Sequence, residues 1–399
     1  MATALSADDA PNIALDVLRA VRSVLGPSST MIPLHEPEFA GSEWAYVKEC
    51  IDTGWVSSVG SYVNRIEADL AAFTGAAHAV ATANGTAALH VCAMLAGVEP
   101  GDEVLMPTLT FVATANAVSY SGAVPHLVDS EERTLGVDAD RLEAHLGEVA
   151  EIVDGRCVNR RTGTTIRALV VMHAFGHPAD LDALAALCAR WRLVLIEDAA
   201  ESLGSFYRGR HTGNVGRLPA LSFNGNKVMT TGGGGAILTN DADLARRAKH
   251  LTTTARVPHR WNFIHDEVGY NYRLPNLNAA LGCAQLERVP GMIERKRVLA
   301  DRYAAAFSDV PGARFLAEPE GCRSNYWLNT IVLEPDVAGK HDAVLEALNN
   351  ANYMSRPVWT LMHRLPMYAG CPRADLSVAE RLASRVINLP SSPKLADRA

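Results

Sequence analysis

The stretch Leu193-Val194-Leu195-Ile196-Glu197-Asp198 is a short apolar run that ends in two acidic residues. Short apolar runs of this kind predict strands, here Leu193–Glu197, and they alternate with helical segments from about residue 67 to residue 240. The other candidate strands are His78–Thr82, Glu103–Met106, Val124–Val128, Ala168–Met172, Ala220–Phe223 and Ala236–Thr239. The candidate helices are Ala87–Ala96, Val112–Ser121, Asp138–His145, Leu181–Trp191 and Ala242–Leu251. This alternation predicts an α/β fold in which helices cover both faces of a mostly parallel sheet.

The pattern changes after residue 275 and predicts a smaller C-terminal α+β domain. A helix that runs from Leu281 toward Phe307 is expected to be interrupted at Pro290. The elements that follow are a strand-like Tyr326–Leu333, a helix His341–Asn350, a strand-like Tyr353–Val358 and a helix near Val378–Arg385. We therefore divide the chain into an N-terminal extension (1–31), a large domain (32–275) and a small domain (276–399). The extension is expected to be peripheral, with one amphipathic helix between Asp9 and Leu25.

Composition and charge exclude several classes of protein. The 399-residue chain carries a formal net charge of -7. This argues against a nucleic-acid partner, because nucleic-acid-binding proteins normally present a basic face. The seven cysteines include no C-x-x-C pair, which predicts a reducing, cytoplasmic environment rather than a disulfide scaffold. No apolar run reaches membrane-spanning length and the N-terminus lacks a secretory pattern, so we expect no membrane partner.

Asp198 follows a predicted buried strand. In parallel sheets ligands bind beyond the carboxyl ends of the strands, so this acid is a candidate site residue. An isolated charge at the mouth of a buried strand would be costly, and it therefore needs a partner. A protonated pyridine nitrogen is one such partner; a metal ion or a helix cap is the alternative that the residue alone leaves open.

Asn84-Gly85-Thr86 joins the strand His78–Thr82 to the helix Ala87–Ala96. A glycine allows close approach of the backbone, and the free N–H groups of a helix start suit a phosphate. Thr86 adds a hydroxyl donor. Taken alone, the motif is more simply explained as an ordinary helix cap by Thr86.

Ser222-Phe223-Asn224-Gly225-Asn226-Lys227 leaves another predicted strand and precedes the glycine run Gly232 to Gly235. A lysine in a sheltered loop can lose its proton and condense with an aldehyde. Most lysines lie on the surface, so Lys227 alone carries little weight. Its combination with an acid and a phosphate loop, all at strand ends, favours a catalytic site.

These residues together resemble the DegT/DnrJ/EryC1/StrS aminotransferases, which are sugar-modifying enzymes of the fold-type-I class that depend on pyridoxal 5'-phosphate (PLP). The resemblance runs from about Ile32 to Pro393. Its markers are Asn84-Gly85-Thr86, Thr108-Leu109-Thr110-Phe111-Val112-Ala113-Thr114, Glu197-Asp198-Ala199-Ala200-Glu201, Ser222-Phe223-Asn224-Gly225-Asn226-Lys227 and Gly269-Tyr270-Asn271-Tyr272-Arg273. The resemblance implies an aspartate-aminotransferase-like large domain with a smaller α+β domain.

The resemblance also implies a role for each matched residue. Lys227 would bind PLP as a Schiff base and then move a proton at the substrate carbon. Asp198 would pair with the pyridine nitrogen and Phe111 would stack on the ring. The phosphate would be held by Gly85, Thr86 and Ser222. Glu201, at a position that is often Gln or His in relatives, would face the ring hydroxyl, and Asn271 would reach the phosphate of a neighbouring subunit, which implies a homodimer with shared active sites.

The implied reaction moves an amino group from L-glutamate to C4 of a nucleotide-linked 4-keto-6-deoxyhexose. The stretches Phe263 to Asn276 and Arg356 to His363 look closest to the subgroup that makes 4-amino sugars for bacillosamine- and legionaminic-acid-type glycans, which favours UDP over GDP or dTDP. One alternative is a PLP-dependent sugar dehydratase, in which a histidine replaces the lysine. Another is a non-catalytic regulator, which would lose Lys227 or Asp198. Both residues are intact here.

Two further features have open or unfavourable interpretations. His173 and His177 have the four-residue spacing of a metal pair, but Gly176 and Pro178 break the helix that such a pair needs, so no metal site is predicted. Trp55 to Gly60 and His363 could line a sugar pocket or could serve only in packing.

Overall fold

The computed structural model describes residues 12–398. In this range eleven α-helices, α1 to α11, are Ile13–Leu25, Glu43–Thr53, Ser61–Thr74, Gly85–Leu95, Val112–Tyr120, Ala139–Val149, Leu181–Trp191, Ala242–Thr252, Asn276–Phe307, His341–Asn350 and Ser377–Ala383. The strands of the central sheet, β1 to β7, are His78–Thr82, Glu103–Pro107, Val124–Val128, Ile166–Met172, Val194–Asp198, Leu218–Ser222 and Gly235–Thr239. Those of a second sheet, β8 to β11, are Ala313–Phe315, Asn329–Leu333, Arg356–Pro357 and Val386–Leu389. Shorter strands are Ala150–Val153, Arg156–Asn159, Phe206–Tyr207, Arg210–His211, Arg256–Val257, Ile264–His265 and Cys322–Arg323.

The central sheet has the strand order β1-β7-β6-β5-β4-β2-β3. Only β7 runs against its neighbours, since it pairs antiparallel with both β1 and β6. The remaining pairs, from β6 across to β3, are parallel. All seven predicted strands lie in this sheet, and the predicted α/β fold with a mostly parallel sheet is confirmed.

Helices cover both faces of this sheet because alternate residues of each strand point to opposite sides. In β2, Val104 and Met106 belong to one hydrophobic cluster whereas Leu105 belongs to another. Because the strands from β6 across to β3 run in the same direction, their carboxyl ends meet at one edge of the sheet. Asp198 is the last residue of β5 and Ser222 is the last residue of β6, so both lie at this edge.

The second sheet is antiparallel, with the order β8-β9-β11-β10. The helix α9 that precedes it spans 32 residues and contains Pro290. The predicted interruption at Pro290 is therefore wrong. Proline removes one helical hydrogen bond, but Leu286, Val289, Met292 and Ile293 on both sides are buried, and this packing keeps the helix continuous.

The N-terminal helix is more buried than a peripheral extension would be. Val17, Val21 and Leu25 of α1 belong to one hydrophobic cluster with Leu299 of α9 and Leu348 of α10. The part of the predicted helix from Asp9 to Pro11 lies outside the described residues. The division of the chain at residues 31 and 275 stays a prediction. Among residues 12–398, no helix is both long enough and apolar enough to cross a bilayer.

Candidate active site

A cavity of about 310 Å³ opens at the carboxyl edge of the central sheet. Seven of the eight predicted site residues line it: Gly85, Thr86, Phe111, Asp198, Glu201, Ser222 and Lys227. Asn271 does not line the cavity; it is exposed and its backbone bridges to Thr253. The residues Trp55 to Gly60 and His363 do not line it either. His363 instead lies within hydrogen-bond distance of Thr108 Oγ1, at 2.8 Å, and of Glu380 Oε1, at 3.1 Å.

The helix start at the cavity is capped by Asn84. Asn84 Oδ1 accepts a hydrogen bond from the N–H of Ala87 at 2.8 Å. A cap by Thr86 is therefore wrong, since Thr86 is the second residue of α4. The N–H groups of Gly85 and Thr86 belong to the first turn, where no partner exists within the helix, and the positive end of the helix dipole lies there. This end of α4 is suited to an anion.

Gly85 packs so closely on β6 that no side chain fits at this position. A Cβ atom at residue 85 would lie 2.8 Å from Ser222 Cβ and 3.1 Å from Ser222 Oγ. At Gly235, at the start of β7, a Cβ would lie 2.7 Å from both the carbonyl carbon of Asn84 and the carbonyl oxygen of Leu221. These glycines bring the start of α4 and the end of β6 together into one cradle.

Asp198 is buried at the floor of the cavity, with 3% of the residue exposed. Its Oδ2 accepts a hydrogen bond from Thr114 Oγ1 at 2.7 Å and its Oδ1 accepts one from the N–H of Ala200 at 3.2 Å. Burial raises the pKa of Asp198, against the opposing effects of these hydrogen bonds and of the Lys227 charge. A cationic partner would stabilise the ionised form. Sequence reasoning missed Thr114, although it lies within a quoted marker segment.

Lys227 points into the cavity and not into bulk water. Its side chain is 13% exposed, and Nζ donates a hydrogen bond to Glu201 Oε1 at 3.1 Å. Nζ also lies 3.9 Å from the centroid of the Trp327 ring, a cation–π distance. The indole N–H of Trp327 donates to the carbonyl of Asn226 at 2.7 Å, which fixes the ring beside the lysine loop. Trp327 was also missed, because it follows Lys227 by a hundred positions and lies outside every local motif.

The main chain at Trp327 accepts a hydrogen bond from a buried lysine. Lys296 of α9 has no exposed surface, and its Nζ donates to the carbonyl of Trp327 at 3.1 Å and to the carbonyl of Ser391. Burial lowers the pKa of Lys296 well below its ordinary value. The hydrogen bonds use main-chain acceptors, so this amine serves as an internal link between two segments.

Glu201 is enclosed, with 1% of its side chain exposed. Its Oε2 accepts a hydrogen bond from the N–H of Phe175 at 2.9 Å, which leaves Oε1 for Lys227. Burial raises the pKa of Glu201 to about 7, against the lowering effect of the Lys227 charge. The carboxyl group is therefore poised between its charged and neutral forms near neutral pH.

Aromatic residues form one wall of the cavity. Phe111 is 49% exposed, and its ring centroid lies 6.4 Å from that of Trp359 in an edge-on arrangement. Trp359 stacks on Phe175 at 5.0 Å, and Phe175 in turn stacks on Trp327 at 6.5 Å. A flat ligand that enters the cavity meets the free face of Phe111 and this stack.

The histidine pair considered from the sequence, His173 and His177, does not belong to a group of three possible metal ligands among residues 12–398. His173 Nε2 lies 2.9 Å from Glu197 Oε2, and its Nδ1 accepts a hydrogen bond from the N–H of Ala179 at 3.1 Å. Both ring nitrogens of His173 are therefore engaged. His177 is fully buried, and burial lowers its pKa to about 4.

One group within residues 12–398 brings three possible ligand atoms together: His250, Asp266 and Glu267. The two acids are on the surface, and both oxygens of Glu267 are paired with Arg247.

The arrangement at the sheet edge fits PLP. The cradle of Gly85, Thr86 and Ser222 offers N–H groups of a helix start and hydroxyl groups to a phosphate. The buried acid Asp198 suits a pyridine nitrogen, Lys227 provides an amine, and Phe111 presents an open ring face. These parts surround one cavity, as the ring, phosphate and aldehyde of a single molecule require.

Comparison with known proteins gives the same result. Residues 37–399 match the DegT/DnrJ/EryC1/StrS aminotransferase family. The GDP-perosamine synthase of Caulobacter vibrioides is 37% identical over 369 residues, which cover 92% of this chain and 94% of that protein. The crystal structure of the aminotransferase TlmJ from Streptoalloteichus hindustanus is 31% identical, with a TM-score of 0.81 and coverage of 90% of this chain and 93% of that one. DesI, solved in the presence of its TDP-sugar product, is 29% identical, with a TM-score of 0.80 and coverage of 92% and 91%. The chain therefore belongs to the DegT/DnrJ/EryC1/StrS aminotransferase family and is a transaminase that uses PLP.

Proposed function

We propose that this transaminase moves an amino group from L-glutamate to C4 of a nucleotide-linked 4-keto-6-deoxyhexose, for the synthesis of a bacterial surface glycan. The observation that carries the proposal is the convergence of Lys227, Asp198 and the phosphate cradle on one cavity. The names of the relatives support a nucleotide sugar as substrate, since one makes a GDP-linked sugar and another was solved with a TDP-linked sugar.

Each site residue has a distinct task in this reaction. When bound, PLP supplies an electron sink for the carbon that gains or loses the amino group. Asp198 holds the pyridine nitrogen in its protonated form, and Thr114 orients the carboxylate. The N–H groups at the start of α4, with the hydroxyls of Thr86 and Ser222, bind the phosphate. Lys227 Nζ holds the cofactor and moves a proton at the substrate carbon.

Replacement of Lys227 tests this assignment directly. Lys227→Ala should lose turnover and the visible colour of protein-bound PLP. Lys48→Ala, at a half-exposed lysine outside the cavity, serves as the control and should keep both. An active, coloured Lys227→Ala protein would refute the proposed role. Wild-type protein that stays colourless with PLP would instead favour a non-catalytic regulator.

A panel of nucleotide-linked 4-keto sugars identifies which nucleotide and which sugar the enzyme accepts. The stretches Phe263 to Asn276 and Arg356 to His363 favour UDP-2-acetamido-4-keto-2,4,6-trideoxyhexose. Three relatives that are GDP-perosamine synthases favour a GDP-linked sugar instead. Mass spectrometry of reactions with glutamate and each 4-keto sugar should show a product in which one carbonyl oxygen is replaced by an amino group. If no nucleotide-linked 4-keto sugar is aminated, the proposal is wrong.

We further propose a homodimer in which Asn271 completes the cavity of the other subunit. Asn271 is exposed and lies outside the cavity of its own chain. Large apolar residues are exposed nearby in sequence, including Trp261, Phe263 and Val268, and a second copy of the chain would cover such a surface.

Subunit mixing tests the shared site. The Lys227→Ala and Asn271→Ala proteins should each be impaired as homodimers. A mixed dimer would combine both defects in one site and leave the other site intact, so activity should return after subunit exchange. If mixing restores no activity although mass measurements show mixed dimers, the sites are not shared.

A further inference from the structure

The amine proposed to bind PLP has a buried acid as its hydrogen-bond acceptor. Lys227 Nζ donates to Glu201 Oε1 at 3.1 Å, and 1% of the Glu201 side chain is exposed. Two charges in such a place lose most of their hydration. The ammonium–carboxylate pair therefore competes with a neutral form in which the proton lies on the acid.

The geometry commits one oxygen of Glu201 to the lysine. The N–H of Phe175 donates to Oε2 at 2.9 Å, so the carboxyl group is held by its far oxygen while Oε1 faces Nζ. The Trp327 ring covers the other side of the amine at 3.9 Å. Solvent access to the proton between Nζ and Oε1 is restricted by this packing.

Other titratable groups near Lys227 are less suited to accept its proton. Asp198 is engaged by Thr114 Oγ1 and by the N–H of Ala200. Burial lowers the pKa of His35 well below its ordinary value, and the nearby charges of Lys296 and Lys227 lower it further. The His35 ring is therefore neutral and does not readily accept a proton. Among the described residues, Glu201 provides the acidic oxygen that accepts a hydrogen bond from Nζ.

We propose that Glu201 is the proton acceptor of Lys227: Oε1 takes a proton from Nζ when the lysine acts as a nucleophile or base, and returns it afterwards. The N–H bond breaks and its electron pair stays on nitrogen, while an O–H bond forms on Oε1. Ammonium and carboxylate become amine and carboxylic acid, so the net charge of the pair is unchanged. Burial raises the pKa of Glu201 to about 7, so its carboxylate binds a proton more readily than that of an exposed glutamate.

An internal acceptor predicts a characteristic dependence on pH. Above about pH 7 the pair of Nζ and Oε1 has no net charge, and its proton moves between the two atoms without exchange with solvent. The fraction of reactive amine therefore does not change with pH in this range. Without the acid, reactive amine forms only by loss of a proton to solvent. Its fraction then rises with pH.

The experiment uses the full chain freed of cofactor, wild type and Glu201→Gln. Glutamine keeps the shape and can accept the hydrogen bond from Phe175, but it cannot take a proton. The rate at which each protein captures added PLP is followed by the visible absorbance of the bound cofactor at several pH values. We expect the wild-type rate to be flat from about pH 7 to 9 and the variant rate to rise with pH over the same range.

Equal pH profiles in the two proteins would overturn the inference. If Glu201→Gln captures no PLP, infrared difference spectra of the wild type decide instead: a carboxylic acid band should differ between cofactor-free and loaded protein, and its absence would overturn the inference. The inference rests on the proposed role of Lys227. Failure of that role would appear separately, as normal colour in Lys227→Ala.

Discussion

Gly85 offers the sharpest test of the phosphate cradle. Replacement by alanine places a Cβ atom 2.8 Å from Ser222 Cβ. Carbon atoms in contact lie about 3.5–4.0 Å apart, so the start of α4 and the end of β6 must separate by roughly 1 Å. Overpacking of this kind costs about 1–3 kcal/mol. A displacement of about 1 Å at a site can also cost roughly 100-fold in function.

We therefore expect Gly85→Ala to raise the Kd for PLP by at least about tenfold, which corresponds to about 1.4 kcal/mol. Kd is measured by titration of cofactor-free protein with PLP, followed by absorbance. Gly147→Ala is the matched control, because a Cβ at residue 147 of α6 meets no atom within 4 Å. Adding Ser222→Gly to Gly85→Ala removes the clashing Cβ and should recover the melting temperature. An unchanged Kd for Gly85→Ala, or an equal change in Gly147→Ala, refutes the reasoning.

Three further variants test burial and charge. Asp198→Asn should raise the unfolding free energy of the cofactor-free protein, because burial raises the pKa of this acid and disfavours its charged form. The same substitution should weaken PLP binding. A variant that is less stable, or that binds PLP as tightly as the wild type, contradicts this account. Glu103 is buried, which raises its pKa, but hydrogen bonds led by that from His126 lower the pKa to about 2. Ionised Glu103 thus contributes about 3 kcal/mol to the free energy of unfolding above pH 4.5, and this contribution is lost as the pH falls toward 2. In Glu103→Gln, the free energy of unfolding should therefore depend less on pH between 4.5 and 2. An unchanged pH dependence in the variant disproves this. Val17→Asp puts a charge into the cluster around α1 and should lower the unfolding free energy by more than about 3 kcal/mol, whereas Leu15→Asp, at a residue 45% exposed, should change it by about 0.5 kcal/mol or less; similar effects of the two would show that α1 is not packed as described.

Most of the central sheet could be predicted from the sequence because its strands and helices are local patterns. Asp198, Ser222 and Gly85 are each adjacent to a strand end, and parallel strands bring such ends to one edge. The convergence of these residues therefore follows from the pattern together with one rule of topology.

The rest of the site depends on contacts between distant parts of the chain. Trp327 reaches Lys227 from the segment that precedes β9, and Phe175 reaches Glu201 from the segment after β4. No local pattern contains these pairs. The continuous helix through Pro290 is of the same kind, since packing on both sides outweighs the local preference of proline.

Lys296 has a consequence for the chain end. One amine links the carbonyl of Trp327 with that of Ser391, which lies eight residues before Ala399. Truncation before Ser391 would remove one of the two hydrogen bonds of Lys296 Nζ. Trp327 would then be held less firmly beside Lys227. A deletion that removes Ser391 is therefore expected to affect the cavity through Lys296 and Trp327, although Ser391 does not line it.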